Sequence, residues 1–170
     1  MEILIAGIFL VALMVWASTR IKRNAAAAFE PETIETDEFI LKKPDGWLSV
    51  VEPREPYLFE GYSKDFGASP LENIRLGTAS IERSNGTIDE IATRTTEGMA
   101  IADDVREVVN ERHYRVIQSR VTEDENDRRQ WLKFAQGDGS VYTFSVKALV
   151  DATPEFRRGI DSMVDSFELK

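Results

Sequence analysis

The sequence contains no cysteine. That excludes disulfides, a lipoprotein attachment cysteine, a thiol nucleophile and thiolate metal sites. Histidine is nearly as scarce. His113 is the single one in 170 residues, so a general base, a catalytic triad or a histidine-based metal centre would have to be built on it alone. It stands between Arg112 and Tyr114 at the start of an expected strand, with no serine or carboxylate in a recognised spacing, and reads as a structural or surface residue.

Phosphate-binding signatures are missing too. Gly137-Asp138-Gly139 lacks the lysine of a phosphate loop, and the third glycine and following helix of a dinucleotide fingerprint; it reads as a turn. Glu123-Asp124-Glu125-Asn126-Asp127 is acidic enough to suggest calcium. It lacks the alternating ligands, central glycine and distant glutamate of an EF-hand, and reads as a solvated hairpin tip.

Positive charge is short as well. The net charge is −9. Glu2, Arg20, Lys22 and Arg23 together contribute +2, which leaves −11 on residues 24–170. A domain this acidic repels phosphate backbones and anionic headgroups, which argues against nucleic-acid binding.

Long apolar runs are absent except for one. Ile3 to Thr19 is an uncharged stretch of 17 residues, followed at once by Arg20, Lys22 and Arg23. At about 1.5 Å per residue it is near the lower end of the roughly 17–25 residues that cross a bilayer. Glu2 stands where a signal peptide carries positive charge, and the basic cluster precedes Ala25 to Ala28, a stop-transfer order rather than a cleavage site. The expectation is a transmembrane anchor contacting the bilayer through Ile3 to Thr19. With all three basic residues on its C-terminal flank, the protein reads as single-pass, with the domain on the cytoplasmic side.

Ala25 to Ala28 favour helix and Pro31 ends it, so residues 24–37 are expected to be a helical stalk and an acidic linker. Phe39 to Trp47 reads as a strand closed by a Pro-Asp-Gly turn that delivers Trp47 into a core. Strands are expected over Pro56 to Lys64 and Ile74 to Arg83. Asn85-Gly86 marks a turn, although Asn85-Gly86-Thr87 also matches a glycosylation sequon. Thr87 with Glu90 forms a capping box ahead of an amphipathic helix carrying Ile88, Ile91, Ala92, Thr95 and Met99. The polar stretch Asp103 to Asn110 is expected to hold at most a further helical turn.

Arg112 to Thr122, Arg128 to Ala135 and Val141 to Val150 then read as a three-stranded antiparallel meander. In the last strand Tyr142, Phe144, Val146, Ala148 and Val150 share one face, with Thr143, Ser145 and Lys147 opposite. Thr153 and Pro154 open a final helix with the apolar stripe Phe156, Ile160, Met163, Val164 and Phe167. Trp47, Trp131, Tyr142 and Phe144 are expected in the core. The division is a transmembrane anchor with its basic flank over 1–23, stalk and linker over 24–37, and a soluble α+β domain over 38–170.

Phe39 to Trp47, the strand–helix–meander–helix order, and Ile160 to Phe167 ending in Ser166-Phe167 resemble the PsbP/Mog1-like superfamily. The resemblance spans Asp37 to Lys170. It implies an α/β/α sandwich, an antiparallel sheet between helices. It also implies a largely non-enzymatic class: photosystem assembly subunits, a small-GTPase regulator and bacterial membrane-linked proteins. It carries over no catalytic, cofactor or metal residue. The combined expectation is a membrane-tethered, non-catalytic binding or assembly module presenting an acidic domain to a protein partner. The rivals are an enzyme built on carboxylates brought together by folding, and an exported cation-binding domain.

Overall fold

From Glu32 onward the described residues form twelve elements in the expected order, with four additional strands. The computed structural model describes residues 13–20, 26–68 and 70–170. The strands are β1 (Glu32–Glu35), β2 (Phe39–Lys43), β3 (Trp47–Ser49), β4 (Tyr57–Ser63) and β5 (Gly77–Asn85), followed by helix α1 (Ile88–Thr95). Then come β6 (Ala100–Val109), β7 (Arg112–Glu123), β8 (Asn126–Gln136), β9 (Ser140–Leu149), α2 (Pro154–Asp165) and β10 (Glu168–Leu169). Seven strands form one antiparallel sheet in the order β3-β4-β5-β9-β8-β7-β6, and β1-β2-β10 form a second, smaller sheet.

Alternation along each strand sorts the large sheet into two faces. Tyr142, Phe144, Val146 and Ala148 of β9, with Ala79 and Ile81 of β5 and Trp131 of β8, build the main core. β2 covers it through Phe39 and Leu41, and α2 through Ile160, Met163 and Val164. Trp47 and Phe156 stack at 5.6 Å in the same layer. On the opposite face α1 lays Ile91 and Ala92 over Ile117, Leu132, Phe134 and Val141. Helices on both faces of an antiparallel sheet make the expected α+β sandwich. Trp47, Trp131, Tyr142 and Phe144 are all buried.

Local chemistry explains the element ends. Thr87 accepts from the Glu90 backbone N–H while the Glu90 carboxylate accepts from that of Thr87, so both capping-box bonds close. Thr153 caps α2, with Pro154 in its first turn. The β6–β7 and β7–β8 hairpins turn on Asn110-Glu111 (φ 50° and 66°) and Asp124-Glu125 (φ 50° and 64°). Two successive positive φ values give the backbone twist that joins antiparallel strands through two residues.

Two expectations need correction. The stretch Asp103 to Asn110 belongs mostly to strand β6, paired with β7 from Ala100↔Arg120 to Val109↔Arg112. As a solvated edge strand it shows no apolar alternation, and its identity comes from the hairpin that β7 completes. The expected acidic linker contains β1, which pairs along β2 from Glu32↔Lys43 to Glu35↔Ile40. Its start is anchored as well. The Phe29 carbonyl accepts from the Gly46 N–H at 2.9 Å, and buried Lys43 donates to the Ala28 carbonyl at 2.8 Å.

The expected anchor, Ile3 to Thr19, lies mostly outside the described residues. Its described part, within 13–20, is helical. No helix among the described residues is long and apolar enough to cross a membrane.

Candidate functional site

Because α1 is only eight residues long, it shields the β7–β8–β9 part of its face and leaves the β4–β5 end bare. Register fixes what lies there. Glu60 pairs with Ser80 and Tyr62 with Thr78 across β4 and β5. Ser80 in turn pairs with Ser145, and Thr78 with Lys147, across β5 and β9. Two polar rows therefore run side by side across three strands. Val50 and Arg54 rise at one rim and Glu123 at the other, enclosing a groove of about 590 Å³ with Tyr57 and Tyr62 in its lining. That volume is within the roughly 300–1,000 Å³ usual for small-ligand sites.

Each charge in the groove has an opposite partner. Arg54 bonds Glu60 at 2.9 Å. Lys147 bonds Glu123 at 2.9 Å, and Arg128 approaches the same carboxylate at 3.7 Å. The hydrogen bond from Arg54 holds the Glu60 carboxyl below the usual glutamate value. Beside the floor, on the same face, Gln130 donates to the Ser145 hydroxyl at 3.1 Å, while its own Oε1 is buried without a partner among the described residues. Beside the groove, Arg75 stacks its guanidinium 4.7 Å from the Tyr62 ring centre and donates to the Ser63 and Lys64 carbonyls.

Glu60 and Glu123 are the two carboxylates folding brings into one groove, the arrangement a carboxylate enzyme would need. A general acid at neutral pH needs a raised pKa. Arg54 moves Glu60 the other way.

A second feature is the edge. β6 has a neighbour on one side only. Eight of its ten residues are exposed, and Ile101, Val105 and Val108 are exposed by 50%, 47% and 62%. Asp103 and Asp104 lie between them. Asp104 accepts from Arg115 at 2.7 Å, which lowers its pKa, and Asp89 of α1 pairs with Arg106 at 2.7 Å and Arg115 at 3.1 Å.

The residues singled out in the sequence fall elsewhere. His113 is exposed at the start of β7, beside a smaller cleft of about 350 Å³ between α1 and the β6–β7 hairpin. The acidic tip spreads its carboxylates: Glu123 turns to Lys147 and Asp127 accepts from the Thr122 hydroxyl. Among the described residues no group of three acidic or histidine side chains could hold a metal ion. Gly137 to Gly139 is a turn, closed by the Gly137 N–H donating to the Ser140 carbonyl at 2.8 Å. The groove was not anticipated. Its one trace in the sequence is the polar row Thr143, Ser145, Lys147, which also describes any solvated strand face.

No family model matches the chain, and no curated protein matches it. Solved structures do. The solution structure of cyanobacterial PsbP (CyanoP) from Synechocystis sp. is similar at 13% identity over 83% of this chain and 92% of that one, with a TM-score of 0.55. LpqN, described as involved in cell envelope biogenesis of Mycobacterium tuberculosis, is similar at 12% identity over 83% and 91%, with a TM-score of 0.57. A Bacteroides thetaiotaomicron protein is similar at 13% identity over 78% of this chain and 45% of its own, with a TM-score of 0.50. At such identities the likeness shows the fold alone: a PsbP-like α+β domain.

Proposed function

We propose that the chain is a membrane-held, non-catalytic binding module that docks a protein partner along the edge of β6. The observation that carries this reading is the edge itself. Its ten residues leave one side of the backbone unpaired and present Ile101, Val105 and Val108 among Asp103, Asp104 and Glu107. Long exposed edges with apolar side chains pair with added strands. The complementary occupant is an extended segment with a basic residue opposite Asp103 and apolar residues opposite Ile101, Val105 and Val108, since Asp104 and Glu107 already pair with Arg115 and Lys133.

Membrane attachment rests on the uncharged run Ile3 to Thr19 and the basic residues after it. In the described part of that run, Leu13, Met14, Val15 and Trp16 are 57–63% exposed, apolar surface that a bilayer would cover. The basic flank favours a cytoplasmic domain. A reporter active only in the cytoplasm, fused after Lys170, gives signal on this reading.

The partner test uses the full chain tagged after Lys170 and purified from its own membranes in mild detergent. Wild type is compared with the double variant Val105→Glu, Val108→Glu. A stoichiometric partner retained by wild type and lost from the variant is the expected result. Recovery of the wild type alone in repeated preparations, or of the same partner with both, overturns the reading.

A further inference from the structure

We infer that the open groove on the β4–β5–β9 face is a binding site for a neutral, polyhydroxylated ligand, a short oligosaccharide. This inference stands apart from the β6 edge and does not depend on it.

The chemistry narrows by exclusion. An anionic ligand would meet Glu60 and Glu123, and a cationic one would meet Arg54 and Lys147. The four lining charges form two ion pairs of 2.9 Å each, and Arg128, outside the lining, approaches Glu123 at 3.7 Å, so each lining charge already faces an opposite partner although the chain as a whole carries −9. An apolar ligand would strip water from a floor of hydroxyls and pay for polar groups left unmatched. What remains is a neutral ligand rich in hydroxyls.

The lining supplies what such a ligand needs. Tyr57, Tyr62, Thr78, Ser80 and Ser145, five hydroxyl-bearing residues, line the groove, and a hydroxyl can both donate and accept. Ser145 already accepts from Gln130, which leaves its O–H directed to another acceptor. The two ion pairs add planar carboxylate and guanidinium groups that exchange bidentate hydrogen bonds with neighbouring hydroxyls. Tyr57 and Tyr62 offer apolar ring surface for the C–H side of a sugar ring. Tyr62 is held in place by Arg75 stacked on it, so part of the ordering cost of binding is met before the ligand arrives.

The test is a nuclear magnetic resonance titration of the full chain in a detergent without sugar headgroups. The probes are maltotriose, cellotriose and chitotriose, with inorganic phosphate and choline as charged controls. The expected result is saturable shifts of the Thr78, Ser80, Ser145 and Lys147 amides with at least one trisaccharide and with neither control. Ser145→Ala and Thr78→Val, whose folding is checked by their amide spectra, each weaken binding about three- to tenfold, the weight of one hydrogen bond. No groove shift with any trisaccharide at tens of millimolar overturns the inference. Shifts produced by phosphate or choline instead, or affinities unchanged in both variants, overturn it as well.

Discussion

The indole N–H of Trp131 donates to the Asp161 carboxylate at 3.0 Å, fastening strand β8 to helix α2. Two residues along the same strand face, Lys133 donates to the Asp165 carbonyl at 3.2 Å and pairs with Glu107 at 3.3 Å. A cation at the last carbonyls of a helix meets the negative end of its dipole. The pair 131/133 on a strand thus meets 161/165 on a helix, one pleat repeat against about one turn. Trp131 is 4% exposed, so its N–H has little access to water if the carboxylate is removed. Asp161→Ala is expected to cost about 1–2 kcal/mol, read from the chemical-denaturation midpoint.

Gly77 is where the main core tolerates no side chain. A Cβ there would come within 2.9 Å of both Phe156 Cζ and Trp47 Cη2, two rings already stacked on each other. Gly77→Ala is expected to destabilise by about 1–3 kcal/mol through overpacking. The same unfolding measurement checks it.

The hairpin tips predict the opposite sign. Glu111 and Glu125 hold φ of 66° and 64°, a region that disfavours residues with a Cβ. Glycine at either position produces the Asn-Gly and Asp-Gly pairs that such turns prefer. Glu111→Gly and Glu125→Gly are each expected to stabilise by about 0.5–1 kcal/mol. Being remote from one another in the β6–β7 and β7–β8 turns, their effects should add in the double variant.

Acidification should weaken the fold. Bonds to the Thr87 backbone and side chain lower Glu90 below its ordinary 4.5, and the Arg115 bond lowers Asp104 below its ordinary 3.8. A carboxylate lowered on folding contributes stability that is complete above its ordinary value and is lost as pH falls through the lowered one. Thermal midpoints are therefore expected to fall as pH drops below about 4.5, with a shallower decline in Glu90→Gln and Asp104→Asn. A decline of equal steepness in both variants would assign the acid sensitivity to other groups.

Lys43 is 3% exposed, and its partners are the Ala28 carbonyl and Glu32 at 3.5 Å. Lys43→Ala removes both contacts and is expected to release the chain around Ala28 and Glu32. Limited proteolysis should then cut that stretch faster than in the wild type.

What the sequence made legible follows from where the physics is local. The Thr87–Glu90 box, the Thr153-Pro154 start and the alternation of β9 each lie within a few residues, and the structure reproduces them. β10 has two residues and exists because it pairs with Phe39 and Ile40, more than a hundred positions away. β1, with the sequence Glu-Thr-Ile-Glu, has weak strand character of its own. β6 is wet on nearly its whole length and carries no pattern to read. The groove joins Arg54, Ser80, Glu123 and Lys147 from four separate segments. No spacing could announce it, because its identity resides in strand order and in the shortness of α1.

The clasp of Phe29 on Gly46 sets a leash. Five residues lie between Arg23 and Phe29, and the six steps along the chain limit their distance to about 20 Å even when fully extended. A domain anchored as proposed works in a thin layer above the headgroups, with little freedom to swing outward. A partner confined to the same bilayer would search for β6 in two dimensions, and gain in local concentration what each individual contact lacks in strength.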